Sequence, residues 1–356
     1  MAGNSNLNDS ARNKQDEFYT KLSLVEDELK HYKAHFKGKT VLCNCDDPFE
    51  SNFFKYFAMN FNSLGLKKLI ATCYASSPVT GDELDYFLDA NGELSFLPVP
   101  NAVPLNEKRR PYRVIITSVK DENGDGRIDL ADVEYLLRNK KNTLTLLNGD
   151  GDFQSEECVE LLKQADIVVT NPPFSKFRPY ISLLMKHKKE FLIIGNLNAV
   201  KYKEILPLFM TDKVWLGYNS GHYWFKVPEC YDEKKTDFKI DESGQKWRRM
   251  GNICWFTNLD TERRHEDMTI FRTYTPETYP KYDNYDAIEV SKTADIPCNY
   301  DGVMGVPITF MTKHNPDQFE IVGVLNSGTG NEYDFGKAVL NGKQLYARIL
   351  IRRKQR

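Results

Sequence analysis

Asn171, Pro172, Pro173 and Phe174 stand directly behind the apolar run Ala165-Asp166-Ile167-Val168-Val169-Thr170, and their types and order suit one chemical task. The run reads as a buried strand. Two successive prolines fix φ at roughly −65° and remove two backbone donors. Carbonyl oxygens in the turn then stand as acceptors beside the side-chain oxygen of Asn171. Phe174 adds a flat face on which a base can stack, an interaction worth roughly 1–3 kcal/mol. Such a turn can hold a planar amino group by both hydrogens while an aromatic face covers the ring that carries it. The plainer alternative is a strand-ending diproline turn with no chemistry.

An amino nitrogen conjugated to a purine is a poor nucleophile, because its lone pair is delocalised. Accepting both hydrogens on carbonyl oxygens localises that pair and aims it. Held about 3 Å from an electrophilic methyl group, it attacks in line without prior deprotonation. The biological methyl donor of the needed reactivity is S-adenosylmethionine, whose ribose, amino and adenine groups call for acceptors. Asp152 and Phe153, reached from the strand Leu144–Leu147 through a glycine turn, can accept from an adenine amino group and pack on its ring. Asp46 and Asp47 can neutralise an ammonium. Each acid alone also reads as a helix cap or turn residue.

These residues need a frame. Residues 21–36 read as a helix with Leu22, Val25, Leu29 and Tyr32 on one face, 40–45 as a buried strand, 52–61 as an aromatic-rich helix and 68–74 as a strand. An irregular stretch, 76–111, holds a short strand near Leu94–Leu97. Strand 112–119 leads through a glycine-acidic loop into a helix over 130–138. Strands 143–147, 167–170 and 191–195 then alternate with helices 155–163, 178–186 and 201–209. This alternation predicts a mostly parallel sheet with helices on both faces. Ligands bind such sheets outside the carboxyl ends of the strands. Asp46/Asp47, Asp150/Asp152, Asn171 and Asn196 each follow a strand and are expected to converge on one edge. From Val214 onward the texture is β-rich and aromatic, with strands near 306–310 and 319–324 in a second domain. The boundary falls within 228–265, and no internal repeat is present.

A chain of 356 residues with 41% hydrophobic and 28% charged residues is ordinary for a globular protein of two domains. No stretch approaches the ~20 apolar residues that span a bilayer. The Asn/Ser-rich segment Met1–Lys14 lacks a signal-peptide core. Seven cysteines without a Cys-x-x-Cys pair predict reduced, buried thiols of a cytoplasmic protein. His31 and His35 share a helix face, but no carboxylate or thiol joins them as a metal ligand. A net charge of −2 does not announce a nucleic-acid partner; basic residues cluster instead at 246–249, 263–265 and 352–354.

On its motifs the chain resembles the EcoRI-type, adenine-specific DNA methyltransferases over most of its length. Asn171–Phe174 matches the Asp/Asn/Ser-Pro-Pro-aromatic catalytic motif of amino methyltransferases, and Phe18, Tyr19 and Thr20 match an amino-terminal cofactor motif. Asp152-Phe153 matches the acidic-aromatic motif after the third core strand. Cys43–Pro48, with Asn44, Asp46 and Asp47, and the stretches 52–57 and 302–307 also look like this family. The usual Phe-x-Gly-x-Gly loop after the first strand is replaced by Asn44–Pro48, and no acid ends the strand Ala71–Tyr74 to hold a ribose.

The resemblance implies an α/β fold: a Rossmann-like class I methyltransferase sheet with helices on both faces, plus a β-rich carboxyl-terminal target-recognition region. Residues 1–15 are then a disordered lead-in, 16–260 the S-adenosylmethionine-binding catalytic domain and 261–356 the target-recognition domain. The implied partner is double-stranded DNA, whose adenine leaves the stack at a cost of a few kcal/mol. Arg248, Arg249, Arg263 and Arg264 are candidates for phosphate or guanine contacts, set against a reading as ordinary surface arginines. A cognate restriction endonuclease in the same system without a stable complex, a cytoplasmic location for a bacterial or phage-encoded protein, and no membrane association belong to the same expectation.

Asp121, Asn123, Asp125, Asp129 and Asp132 fit a calcium-loop template, with Gly126 at its sixth position. The last ligand is Asp rather than Glu, and a strand rather than a helix precedes the loop. The plainer reading is an Asx/Gly turn that caps the helix after it. Two functional alternatives stay open: an RNA adenine or protein glutamine methyltransferase, and a calcium-responsive nucleic-acid-binding module.

Overall fold

Short runs such as Ile167-Val168-Val169-Thr170, apolar but for the closing threonine and buried throughout, suit the interior of a parallel sheet. The computed structural model describes residues 18–355 apart from 46, 49, 74–86, 89–93, 96–102, 105–110, 123, 140–143, 228–230 and 328–330. Packing divides the chain into two units, 1–195 with 221–251, and 196–220 with 252–356.

In the first unit the elements run α1 (Leu22–Leu29), β1 (Thr40–Cys43), α2 (Asn52–Met59), β2 (Lys68–Thr72), three two-residue strands β3 (Phe87–Leu88), β4 (Leu94–Ser95) and β5 (Val103–Pro104), β6 (Tyr112–Ile116), α3 (Leu130–Asn139), β7 (Leu144–Leu146), α4 (Glu156–Gln164), β8 (Ile167–Thr170), α5 (Phe177–Lys186) and β9 (Glu190–Asn196). Strands lie in the order β9-β8-β1-β2-β6-β7. β9, β8, β1 and β2 pair in parallel. β6 then runs antiparallel to β2, and β7 antiparallel to β6. The sheet is therefore mixed, where alternation alone predicts a mostly parallel one. β6 shows why: Tyr112, Val114 and Ile116 are buried while Arg113 and Ile115 are half-buried, the period-two pattern of an antiparallel strand. Because β6 reverses and β7 reverses again, β7 points the same way as β1, β2 and β8. Their carboxyl ends share one edge.

Helix ends follow from local chemistry. Ser51 caps α2 by accepting from the Phe54 amide, and Ser155 caps α4 by accepting from Cys158, with Glu156 and Glu157 in the first turn. Phe177, Tyr180, Ile181 and Leu184 form the buried stripe of α5 at helical spacing. The helix expected over 21–36 is broken. α1 stops at Leu29, the His31 and Tyr32 amides make tighter bonds to Glu28 and Leu29, and a 3-10 turn follows at Lys33–Phe36. Tyr32 is nonetheless buried, with its hydroxyl donating to the buried Glu28 carboxylate at 3.0 Å.

β10 (Trp215–Lys226), β11 (Phe238–Ile240) and β12 (Lys246–Thr257) follow, β11 pairing antiparallel with β12. The unit boundary cuts β10 between Ser220 and Gly221 and β12 between Gly251 and Asn252. In the second unit the helix expected over 201–209 is a 3-10 turn, Leu197–Lys201, followed by a short α6 (Leu206–Met210). Pro207 explains the delay, since its missing N–H is tolerated only in a first turn. β13 (Ile288–Glu289), β14 (Met304–Pro307), β15 (Phe319–Leu325) and β18 (Arg348–Arg353) form a sheet in the order β13-β14-β18-β15, and β16 (Val339–Leu340) pairs with β17 (Lys343–Gln344) as a hairpin. Glu289, buried in this sheet, accepts from Arg348 at 2.7 Å and from the Tyr282 hydroxyl. Among the described residues no helix is long and apolar enough to cross a membrane.

Candidate active site

β8 delivers Asn171 to the shared carboxyl edge, and the diproline stops the strand there. Pro173 is extended at φ −53°, ψ 127°, and a 3-10 turn, Phe174–Lys176, leads into α5. Asn171 is only 6% exposed. Its amide nitrogen donates to the Phe18 carbonyl at 2.5 Å and to the Thr20 hydroxyl at 3.4 Å. A carbonyl only accepts, so the amide has one chemically sensible orientation. The Asn171 side-chain oxygen is left buried with no hydrogen-bond partner. Leaving such an acceptor unmet costs about 1–3 kcal/mol until a donor arrives.

The strap Phe18–Thr20 is itself fixed. Tyr19 makes an antiparallel bridge to Lys226 through bonds of 3.0 and 3.2 Å, and Asn52 donates to the Thr20 carbonyl at 2.7 Å. Phe18 stacks on Phe174 with ring centres 5.6 Å apart and meets Phe225 and Tyr231 edge-on. Phe174 is half-buried, and Phe18 takes one of its faces. The strap read in the sequence as a cofactor motif thus also orients the Asn171 amide.

Around the same edge, Asn44 follows β1 and is buried; its side-chain oxygen accepts from the Tyr180 hydroxyl. Burial pushes that hydroxyl well above its ordinary range, so it stays a donor. Asp47 is buried and accepts from the Tyr112 hydroxyl at 2.9 Å, while its backbone carbonyl receives the Ser51 amide. Asp46 lies outside the described residues. After β7 the chain turns at Gly151, with φ +76°, a conformation that suits glycine. Asp150 then accepts from the Asp152 amide, and Asp152 from the Gln154 amide, both at 2.9 Å. Lys176 reaches the other Asp152 oxygen at 2.6 Å. Phe153 is buried, its ring edge-on to Tyr180 at 4.9 Å. Asn44, Asp152 and Phe153 are therefore gathered around one face of α5.

Sequence reasoning missed Lys176, Tyr180 and Tyr112. Tyr180 sits in the apolar stripe of α5 and reads there as core. Tyr112 opens a strand 65 positions from its partner Asp47. Cys73 and Cys158 are buried thiols whose pKa burial pushes up.

The acidic loop is a set of turns. Asp121 accepts from the Gly124 and Gly126 amides, Asp125 from Arg127, and Asp129 from Ala131. Asp132 is buried and accepts from the Glu122 and Asp129 amides. Asn123 lies outside the described residues. Among those described, no group of three His, Cys, Asp or Glu is placed to hold a metal ion.

The arginines fall in different units. Arg248 donates to the Thr236 and Asp237 carbonyls, and Arg249 lies 3.7 Å from the Asp237 carboxylate. In the second unit Arg263 donates to the Tyr218 and Thr312 carbonyls. Arg264 lies 3.7 Å over the Trp215 ring and pairs with Asp212 at 3.2 Å and Asp260 at 3.6 Å. Both line an open cavity of about 430 Å³ with Trp215, Tyr218, Phe271 and Lys313. All four guanidinium groups are engaged within the protein, a use that clustering in sequence does not reveal.

Comparison with known proteins bears on this site. The family described as adenine-specific methyltransferase EcoRI matches residues 6–354. The chain is 43% identical over 358 residues to Type II methyltransferase M.EcoRI of Escherichia coli, covering 99% of this chain and 98% of that one. It is 33% identical to Type II methyltransferase M.MgeORF184P of Mycoplasma genitalium, covering 98% and 99%. It is likewise 33% identical to Type II methyltransferase M.MpnI of Mycoplasma pneumoniae, covering 98% of each. No solved structure matches the chain. With the diproline corner intact and a match that spans nearly its whole length, the chain belongs to the EcoRI family of adenine-specific methyltransferases.

Proposed function

We propose that this adenine-specific methyltransferase acts on the 6-amino group of an adenine rotated out of duplex DNA, with S-adenosylmethionine as donor and Asn171 as the residue that receives the amino group. The observation that carries this reading is the Asn171 oxygen, buried and unpartnered while its amide nitrogen is tied to Phe18 and Thr20. An exocyclic amino group supplies the missing donor.

The chain's donor set fits the cofactor. Asp152 offers a carboxylate for an adenine amino group, Phe153 an apolar ring, and Asn44 and Asp47 polar atoms at the neighbouring strand end. When bound, the cofactor supplies an electrophilic methyl group. Asn171 accepts one hydrogen of the target amino group, and the backbone oxygen of Pro172 takes the other, the Pro173 oxygen already receiving the Lys176 amide. Both bonds raise electron density on the nitrogen and fix its direction of attack. The half-exposed Phe174, backed by Phe18 and set at right angles to Phe225, braces the extruded ring. The proton of the methylated nitrogen leaves to solvent after transfer.

A Rossmann-like class I sheet, with 261–356 reading the target sequence, is the architecture that goes with this role. Duplex DNA is then the partner, with a cognate endonuclease acting separately in the cytoplasm of the same cell. Arg248, Arg249, Arg263 and Arg264 then act by shaping the surface on which phosphates rest. Asn171→Ala tests the central role. Methyl transfer to a duplex oligonucleotide is expected to fall by roughly 10²–10³ or more, the scale of losing one aimed hydrogen-bonding group in an active site. Binding of S-adenosylhomocysteine is expected to persist. Unchanged turnover rejects the role of Asn171.

A further inference from the structure

Helix α5 begins just after the proposed catalytic corner, and the residue before it and its fourth residue each contact the end of another strand. Lys176 pairs with Asp152 at 2.6 Å, its ammonium 5.8 Å from the centre of the Phe153 ring. Four positions on, and so on the same face, Tyr180 donates its hydroxyl to Asn44 and packs its ring edge against Phe153. One side chain holds the loop after β7, the other holds the end of β1 and the same Phe153. Tyr180 is fully buried, so its hydroxyl has no water to fall back on. Lys176 is 41% exposed and Asp152 19%, and solvent on the lysine side screens the pair, so its contribution to folding stability is modest. A contact that contributes modestly to the fold, yet ties a catalytic turn to a ligand loop, points to positioning.

The geometry points to Lys176 and Tyr180 as a positioning pair, a clamp by which the catalytic helix sets the spacing and orientation of the two cofactor-holding loops. The inference rests on the reading of Asn44, Asp152 and Phe153 as cofactor contacts. Lys176 neutralises and steers the Asp152 carboxylate, and Tyr180 fixes which way the Asn44 amide faces. Neither needs to touch the cofactor. Because both extend from the segment that carries Asn171, the cofactor loops and the amino-group acceptor keep a common register.

Calorimetric titration with S-adenosylhomocysteine tests this on the full-length protein and its variants Lys176→Met, Lys176→Arg, Tyr180→Phe and Asp152→Asn. Lys176→Met and Tyr180→Phe are each expected to weaken binding about fivefold, the scale of one exposed ion pair or one neutral hydrogen bond. Lys176→Arg keeps the charge and is expected to restore most of the affinity. Lys176→Met added to Asp152→Asn is expected to cost nothing further, since their shared contact is already lost. In steady state the cofactor KM rises more than kcat falls, a split that general loosening of the fold does not produce. Tyr180→Phe preserves the ring, so it reports on the hydroxyl even where Lys176→Met folds poorly. Parent-like affinity in Lys176→Met or Tyr180→Phe, with Asp152→Asn weakened, overturns the clamp and leaves the cofactor loops standing. Parent-like affinity in Asp152→Asn overturns the cofactor-loop reading, and the clamp falls with it.

Discussion

An asparagine amide keeps its shape when its oxygen and nitrogen trade places, so its neighbours must decide which end is tied down and which is left open. At residue 171 the Phe18 carbonyl decides, and the Thr20 hydroxyl assists from 3.4 Å. The sequence singles out Asn171 itself, through the apolar strand before it and the two prolines and aromatic after it. It does not announce what orients it: the supporting residues lie 151 and 153 positions away, in a segment that reads as a cofactor motif rather than as a support for Asn171. Thr20→Val separates the two supports, since valine matches threonine in shape but accepts nothing. The variant is expected to lose about 1 kcal/mol of stability, read by urea denaturation. Its kcat is expected to fall a few-fold, because the Phe18 bond remains. A kcat drop as deep as that of Asn171→Ala argues that Thr20 touches the reaction directly.

Among the elements, those with a single dominant pattern were legible. The β8 strand and the α4 and α5 helices stand within one residue of their expected bounds. Strand direction was less legible: β6 runs antiparallel to β2, and the period-two burial that goes with it shows only in the folded sheet. Short 3-10 turns escaped periodicity altogether. Two of them, Glu262–His265 and Ile308–Lys313, end at histidines with opposite tendencies. Hydrogen bonds to Asp317 and Asp260 raise His265 above its ordinary 6.5, against repulsion from Arg264. Burial lowers His314 below 6.5, against the Phe319 carbonyl and Asp212, with Arg264 and Lys354 adding to the fall. The stability contributed by His265 is fully present below pH 6.5 and is lost as pH rises through its raised value. For His314 the sign inverts. As pH falls through 6.5 the unfolded chain takes up a proton that the buried ring refuses, and the fold weakens. Histidine ring resonances followed by NMR are expected to show one midpoint on each side of 6.5. Midpoints that coincide sink the assignment.

For the whole molecule, a change of texture after Val214 is visible in the residues, and it suggests a single cut into a core and a trailing domain. The chain instead passes between its two units at 195/196, 220/221 and 251/252. Such interleaving is invisible to composition, because every crossing falls inside a strand, beside Gly195, Gly221 or Gly251, with no change of texture there. The second unit draws buried Phe209 and Val214 from one segment and Trp255 and Phe256 from another, with Phe209 and Phe256 edge-to-face at 5.9 Å. A fragment of residues 261–356 therefore lacks part of its own core. Expressed alone, it is expected to give poorly dispersed amide proton resonances; a well-dispersed spectrum counts against this division.

That threading also constrains how the protein can change over evolutionary time. If reading a new DNA word required a new second unit, one recombination breakpoint would not deliver it, because the donor's 196–220 and 252–356 would have to arrive together. Innovation by wholesale cassette exchange is disfavoured in such a chain, and drift by scattered point substitutions is left as the open route.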